Sequence, residues 1–237
     1  MSILLKILVV AYLCLVRGVL LLTDRHAYMI MAHTNYNQLA ILIQTIDDIR
    51  NDIYLHIDKT NPLTEIEKNS LLSASKQSNL FFIKSRSVSW GADSLMNVEI
   101  ALLDEAVKRP HKYYHLLSGM DLPIKTQSYI HDKLDCDSYD YISLERTHQH
   151  NISKDFLDRF RYYYPLQNSV GRSGKKKVEN IQNRIISLQK RLKFDRTRNA
   201  AFEYIKGSQW FSITHKTAKY ILDQYTYCNR SIITPLT

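Results

Sequence analysis

Three apolar runs in this chain each stop at a polar residue, and that arrangement narrows the fold more than any other feature. Ala27 to Met31 opens onto Ala32 and His33, Ile53 to Ile57 opens onto Asp58, and Tyr113 to Leu117 opens onto Ser118-Gly119-Met120-Asp121. Short apolar runs bounded by turn residues read as buried strands. In open α/β sheets ligands bind beyond the carboxyl ends of the strands, so these polar groups are expected to share one crevice.

Helical patterns fill the intervals. Asn35 with Gln38 has the spacing of a capping box, followed by a stripe of Leu39, Leu42, Ile43 and Ile46; Thr64 with Glu67 repeats the signature ahead of Leu71-Leu72. Leu80 to Ile83 reads as a strand and Leu95 to Val107 as a helix with Val98, Leu102 and Ala106 on one side. Further on come a helix near Gln127 to Leu134, a strand at Tyr139 to Ser143, and a polar, aromatic loop ending in Arg159 to Tyr164. Lys177 to Phe194 reads as a basic amphipathic helix laid over the sheet, burying Val178, Ile181, Ile185, Leu188 and Leu192. Phe211 to Thr214 closes the pattern as a strand and Thr217 to Gln224 as a helix. The alternation predicts an α/β fold with a mixed, mostly parallel sheet and helices on both faces.

At 237 residues and 45% apolar composition the chain can bury a full core. One domain is expected over residues 26–237, preceded by an apolar segment at 1–25. Within that segment Ile3 to Leu22 is broken by Lys6 and by Arg17-Gly18, and Ile7 to Val16 is too short to span a bilayer although it matches a signal-peptide core. It reads as a short signal anchor or interfacial segment, or as a misassigned start, so the expected location is cytoplasmic or membrane-associated. The formal charge of +9 is concentrated between Arg172 and Arg198 with no nucleic-acid motif beside it, so a solvated helix face is expected and no nucleic-acid partner. Cys14, Cys136 and Cys228 make neither a disulfide framework nor a zinc pattern.

The chain has no G-x-G-x-x-G after the first strand, no G-x-x-x-x-G-K-[ST], no G-x-S-x-G and no H-E-x-x-H. The common phosphate cradles and the commonest esterase and zinc-peptidase signatures are therefore missing. Holding a divalent ion against a diphosphate takes neighbouring carboxylates, yet Asp121 stands alone between Met120 and Leu122, so no metal is expected there.

The ordered set Tyr28 to His33, His56-Ile57-Asp58, Ser89-Trp90-Gly91, Leu117 to Lys125 and Gly207 to Phe211 resembles the core-2/I-branching glycosyltransferase family, glycosyltransferase family 14, especially its bacterial members. The resemblance runs from about His26 to Leu222. It implies a GT-A-like nucleotide-sugar fold and an inverting, metal-independent transfer from a UDP-sugar, usually UDP-N-acetylglucosamine or UDP-xylose, to a glycan hydroxyl.

Carried onto this sequence, the resemblance implies that Ala32, His33 and Asp58 hold the uracil and ribose, and that Asp121 faces the ribose or donor sugar. Read from the residues alone, His33 could instead satisfy a loop carbonyl and Asp121 could cap the helix after Pro123. Ser89 and Trp90 precede a helix and offer either backbone N–H groups to the donor or a core anchor. Glu145, Arg159, Arg161, Ser208, Gln209 and Trp210 fall where the family binds its acceptor. The family's general base and the cations that stabilise the leaving diphosphate lie farther along than Thr237, so the domain is expected to be incomplete at its carboxyl end. The alternative is a truncated, non-catalytic nucleotide-sugar or carbohydrate-binding protein.

Overall fold

The computed structural model describes residues 24–89, 91–145, 154–173, 176–198 and 206–233. The apolar segment at residues 3–22 lies outside them. Among the described residues no helix is long and apolar enough to cross a membrane.

Six strands form one sheet in the order β3-β2-β1-β4-β6-β5. They are β1 (His26–Ala32), β2 (Asn51–Ile57), β3 (Asn79–Phe82), β4 (Tyr113–Ser118), β5 (Tyr141–Glu145) and β6 (Lys206–Thr214). β3, β2, β1 and β4 run parallel, β6 pairs antiparallel with both β4 and β5, and a register shift lies between Ile142 and Leu144. The mixed, mostly parallel sheet is therefore as the alternation predicts.

The helices are α1 (Tyr36–Ile46), α2 (Glu65–Ala74), α3 (Asp93–Val107), α4 (Gln127–Cys136), α5 (Lys154–Arg161), α6 (Gln167–Ser173), α7 (Lys176–Arg191) and α8 (His215–Ile233). Alternation along β1 divides the core. Tyr28, Ile30 and Ala32 face the α1 stripe of Leu39, Leu42, Ile43 and Ile46, while Ala27, Met29 and Met31 face Val98, Leu102 and Ala106 of α3 and Ala218 of α8. Helices thus cover both faces.

At Thr64 both reciprocal bonds of the capping box are present, Glu67 N–H to the Thr64 hydroxyl and the Thr64 N–H to Glu67 Oε2. Asn35 departs from expectation: it sits in the left-handed region at φ 51° and makes no side-chain cap bond, so β1 turns directly into α1 there. Of the predicted loop leading to Arg159, residues 146–153 lie outside the described residues, Lys154–Arg161 is helical as α5, and α6 follows it. The stripe on α7 is not buried against the sheet. Ile181, Leu188 and Leu192 are 51%, 56% and 70% exposed, and the buried member of the helix is Gln182, which accepts from Leu166 N–H and donates to Gln167 Oε1. Periodicity located the apolar side of α7 correctly, but the helix is held to the α6 segment by glutamine bonds.

The end of the sheet opposite the polar strand ends carries an unusual density of buried histidine. His26, His115 and His131 are all inaccessible or nearly so. Burial, with His115 and His131 beside it, holds His26 far below the ordinary imidazole range; burial pushes His115 down to about 3 and lowers His131 as well.

Candidate functional site

Because β1, β2 and β4 are parallel and in register, their carboxyl ends open on one side. The turn beyond each strand is stitched to its neighbour: Asp58 N–H donates to Ala32 O at 2.9 Å, and Gly119 N–H to Met31 O at 2.8 Å. A cleft of about 590 Å³ sits over these turns, lined by Ala32, His33, Asp58 and Ser118 from the parallel strand ends and by Gln209 and Trp210 from β6. Antiparallel pairing is what brings β6 here, since its amino-terminal half lies over the carboxyl ends of its neighbours.

Asp58 is buried, and its own loop organises the carboxylate. Oδ1 accepts from the Thr60 N–H at 2.7 Å and the Thr60 hydroxyl at 2.6 Å, and Oδ2 accepts from Val88 N–H at 3.2 Å. One side chain thereby ties the β2 turn to the segment leading into α3. His33 is exposed on the cleft wall, and it is the His33 carbonyl, rather than its ring, that the loop engages, accepting from Asn61 Nδ2 at 2.9 Å. The ring is therefore not the satisfier of a buried carbonyl.

Asp121 does not cap a helix. Thr126 caps α4 through Tyr129 N–H, whereas Asp121 Oδ2 accepts from Ser118 N–H at 2.8 Å and closes the turn after β4. It stands next to the cleft through Ser118 and outside the lining. Ser89 is buried with both polar groups spent internally: its N–H donates to Ser94 Oγ and its hydroxyl to Asn168 O, both at 2.9 Å. It joins the start of α3 to α6 and does not line the cleft. Trp90 and the side chain of Glu145 lie outside the described residues.

The remaining acceptor-side residues separate. Gln209 and Trp210 line the main cleft, while the Ser208 hydroxyl accepts from Trp210 N–H at 3.2 Å within β6. Arg159 lines a neighbouring cleft of about 650 Å³ with Tyr162, Tyr164 and Gly91. Arg161 turns away to Asp195 at 3.6 Å and Asp158 at 4.0 Å.

Other contributors were not among the expected site residues. His56 lines the cleft with Nε2 accepting from Arg86 N–H at 3.0 Å, and burial lowers its pKa. Thr60 and Leu95 also line it. One turn beyond Leu95 on α3, the half-buried Glu99 is hydrogen-bonded by the Gln209 side chain, and burial pushes its carboxyl up to about 7. The His56-Ile57-Asp58 run was visible in the sequence, but which face of α3 meets β6 was not.

The family model described as Core-2/I-Branching enzyme matches residues 26–233. The chain belongs to the core-2/I-branching enzyme family. Among curated proteins none matches it. The mixed sheet of this branching-family glycosyltransferase is consistent with a GT-A-like fold, and membership implies a nucleotide-sugar donor and a glycan acceptor.

The raised pKa of Glu99 gives a pH prediction. A carboxyl whose folded pKa exceeds its unfolded one stabilises the fold while protonated, so its contribution is complete below its ordinary value of 4.5 and is lost as pH rises through about 7. Glu99→Gln should match the parent chain in thermal stability at pH 4.5 and exceed it at pH 8, by about 2–6 °C for a relief of roughly 1–2 kcal/mol. Thermal melts at both pH values check it, and equal melting temperatures at pH 8 would show that the charged form is not penalised.

Proposed function

We propose that this family member transfers N-acetylglucosamine or xylose from a UDP-sugar to a glycan hydroxyl, with inversion and without a metal ion. The observation that carries the reading is the shared cleft at the parallel strand ends, lined by Asp58 and His33 from the strand ends and by Gln209 and Trp210 from β6. Its volume of about 590 Å³ suits a small-molecule ligand. Asp58, bound to two loops at once, would read a ring N–H of the base, and the Trp210 indole offers a stacking face to a sugar. Asp121, with one oxygen on Ser118 N–H beside the cleft, would face the ribose or donor sugar from the rim. Arg159 and its tyrosines extend the surface on which an acceptor would lie.

The second reading is a chain that binds nucleotide-sugar without turning it over. Titration calorimetry with UDP, followed by a transfer screen of UDP-sugars on glycan acceptors, tests both. Saturable UDP binding unchanged by EDTA is expected. Absence of UDP binding would overturn the donor assignment, and binding that requires added Mg²⁺ or Mn²⁺ would overturn metal independence. Product formation by the chain as written would exclude the binding-only reading.

A further inference from the structure

At the far end of the sheet from the cleft, β1 begins at His26, and α4 carries His131 and Asp135 four residues apart on one helical face. His26 and His131 are fully buried, and their rings stack with centroids 3.9 Å apart. Two of their ring nitrogens, His26 Nε2 and His131 Nδ1, are buried without a hydrogen-bond partner among the described residues. Asp135 Oδ1 is 3.6 Å from His26 Nε2, and one ligand atom from each of the three residues lies within 4.8 Å of the other two. Buried polar atoms are nearly always paired, so two orphans converging on one carboxylate call for a physical reason.

The hydrogen-bond network defines what these nitrogens offer. Asn51 Nδ2 donates to Ile46 O and to Gln127 Oε1, both at 2.8 Å, which turns Asn51 Oδ1 toward His131 Nε2 at 2.8 Å. An amide oxygen only accepts, so His131 carries its proton on Nε2 and a lone pair on Nδ1. On the other side His26 Nδ1 lies 3.1 Å from His115 Nε2, and His115 Nδ1 lies 2.7 Å from Ser212 Oγ. Donation in the order His26 to His115 to Ser212 leaves a second lone pair on His26 Nε2. Each imidazole then gives its other N–H to a buried acceptor, the outer-shell arrangement that orients histidine ligands.

We propose that His26 Nε2, His131 Nδ1 and the Asp135 carboxylate form a binding site for a divalent transition metal of the zinc class. Two imidazoles and one carboxylate suit that ion and leave a fourth position for water. Zinc–nitrogen bonds of about 2.0–2.1 Å require the ligand atoms to draw together and one ring to tilt out of the stack. Lys112 Nζ holds Asp135 Oδ1 at 2.9 Å and must yield that oxygen or share the carboxylate. Asp48 and Asp132 offset Arg50 and Lys112 in the surrounding field. The site sits six residues down β1 from Ala32, about 20 Å from the cleft, so the ion ties the start of β1 to α4 and takes no part in transfer.

The test is zinc chloride titration of the chelator-stripped chain against a chromophoric competitor, with thermal melts alongside. One zinc per chain and a raised melting temperature are expected, and both Asp135→Asn and His131→Gln should weaken binding at least about tenfold and lose the thermal shift. Asp135 is partly exposed, so its variant disturbs the core least. Substoichiometric binding, or equal affinity in the variants and the parent, would assign the metal to other histidines of the nine in the chain and overturn the proposal. UDP affinity, unaffected by zinc, separates this outcome from failure of the donor reading.

Discussion

Replacing Asp58 with alanine is expected to weaken UDP binding by at least about a hundredfold and to lower the melting temperature by roughly 5–15 °C. Both effects share one cause. The carboxylate accepts from Thr60 N–H, the Thr60 hydroxyl and Val88 N–H, and alanine leaves these donors beside a buried methyl. Each buried donor left unsatisfied costs about 1–3 kcal/mol, so the β2 turn and the approach to α3 loosen together. The cleft loses its organiser as well as a ligand group. Asp58→Asn keeps one oxygen for Thr60 but presents an NH₂ to Val88 N–H, and should fall between the two. Calorimetry with UDP and thermal melts on all three chains check the ordering; parent-like UDP affinity in Asp58→Ala would remove Asp58 from the site.

Gly119→Ala is expected to cost about 1–3 kcal/mol and at least tenfold in UDP affinity, for a steric reason. A Cβ at Gly119 would stand 2.8 Å from the Ala32 Cβ and 3.3 Å from its Cα. That neighbour is a methyl on a central strand and cannot swing aside. The Gly119 N–H bond to Met31 O must lengthen instead, and with it the turn that sets Ser118 and Asp121 against the cleft. Ala32→Gly removes the closer of the two contacts, so adding it to Gly119→Ala should recover about 1 kcal/mol. Strict additivity in that double-mutant cycle would show that the Ala32 methyl is not the obstacle.

The parallel half of the fold was legible because strands buried on both faces read as continuous apolar runs. β1, β2 and β4 are such strands, and Ala32, His33, Asp58 and Ser118 at their ends line one cleft, with Asp121 beside it and outside the lining. α5 and α6 were illegible because each is only two turns long: Phe156, Leu157 and Phe160 of α5 do recur at helical spacing, but over too few residues to stand out from the aromatic run that follows. α7 shows the converse: its stripe is real, but nothing local says whether a stripe is covered, and Ile181, Leu188 and Leu192 are exposed. Asn35 carried the letters of a capping box without its geometry. Glu99 entered the site only through Gln209, more than a hundred residues later, and the stacking of His26 on His131 is equally non-local. Contacts of that kind have no sequence period to announce them.

The position of β6 also sets an order of events during synthesis. β1 to β4 leave the ribosome first and can pair among themselves, but β4 then stands as a sheet edge for about ninety residues of translation, until β6 arrives to pair with it. His115 and Tyr113 lie on that temporary edge. A chain halted before Lys206 holds the parallel strand ends without Gln209 and Trp210, so nascent material has an unfinished cleft and an edge open to pairing with another copy of itself. Any delay before the last strand is delivered lengthens the exposure of that edge, a hazard that no inspection of the finished cleft reveals.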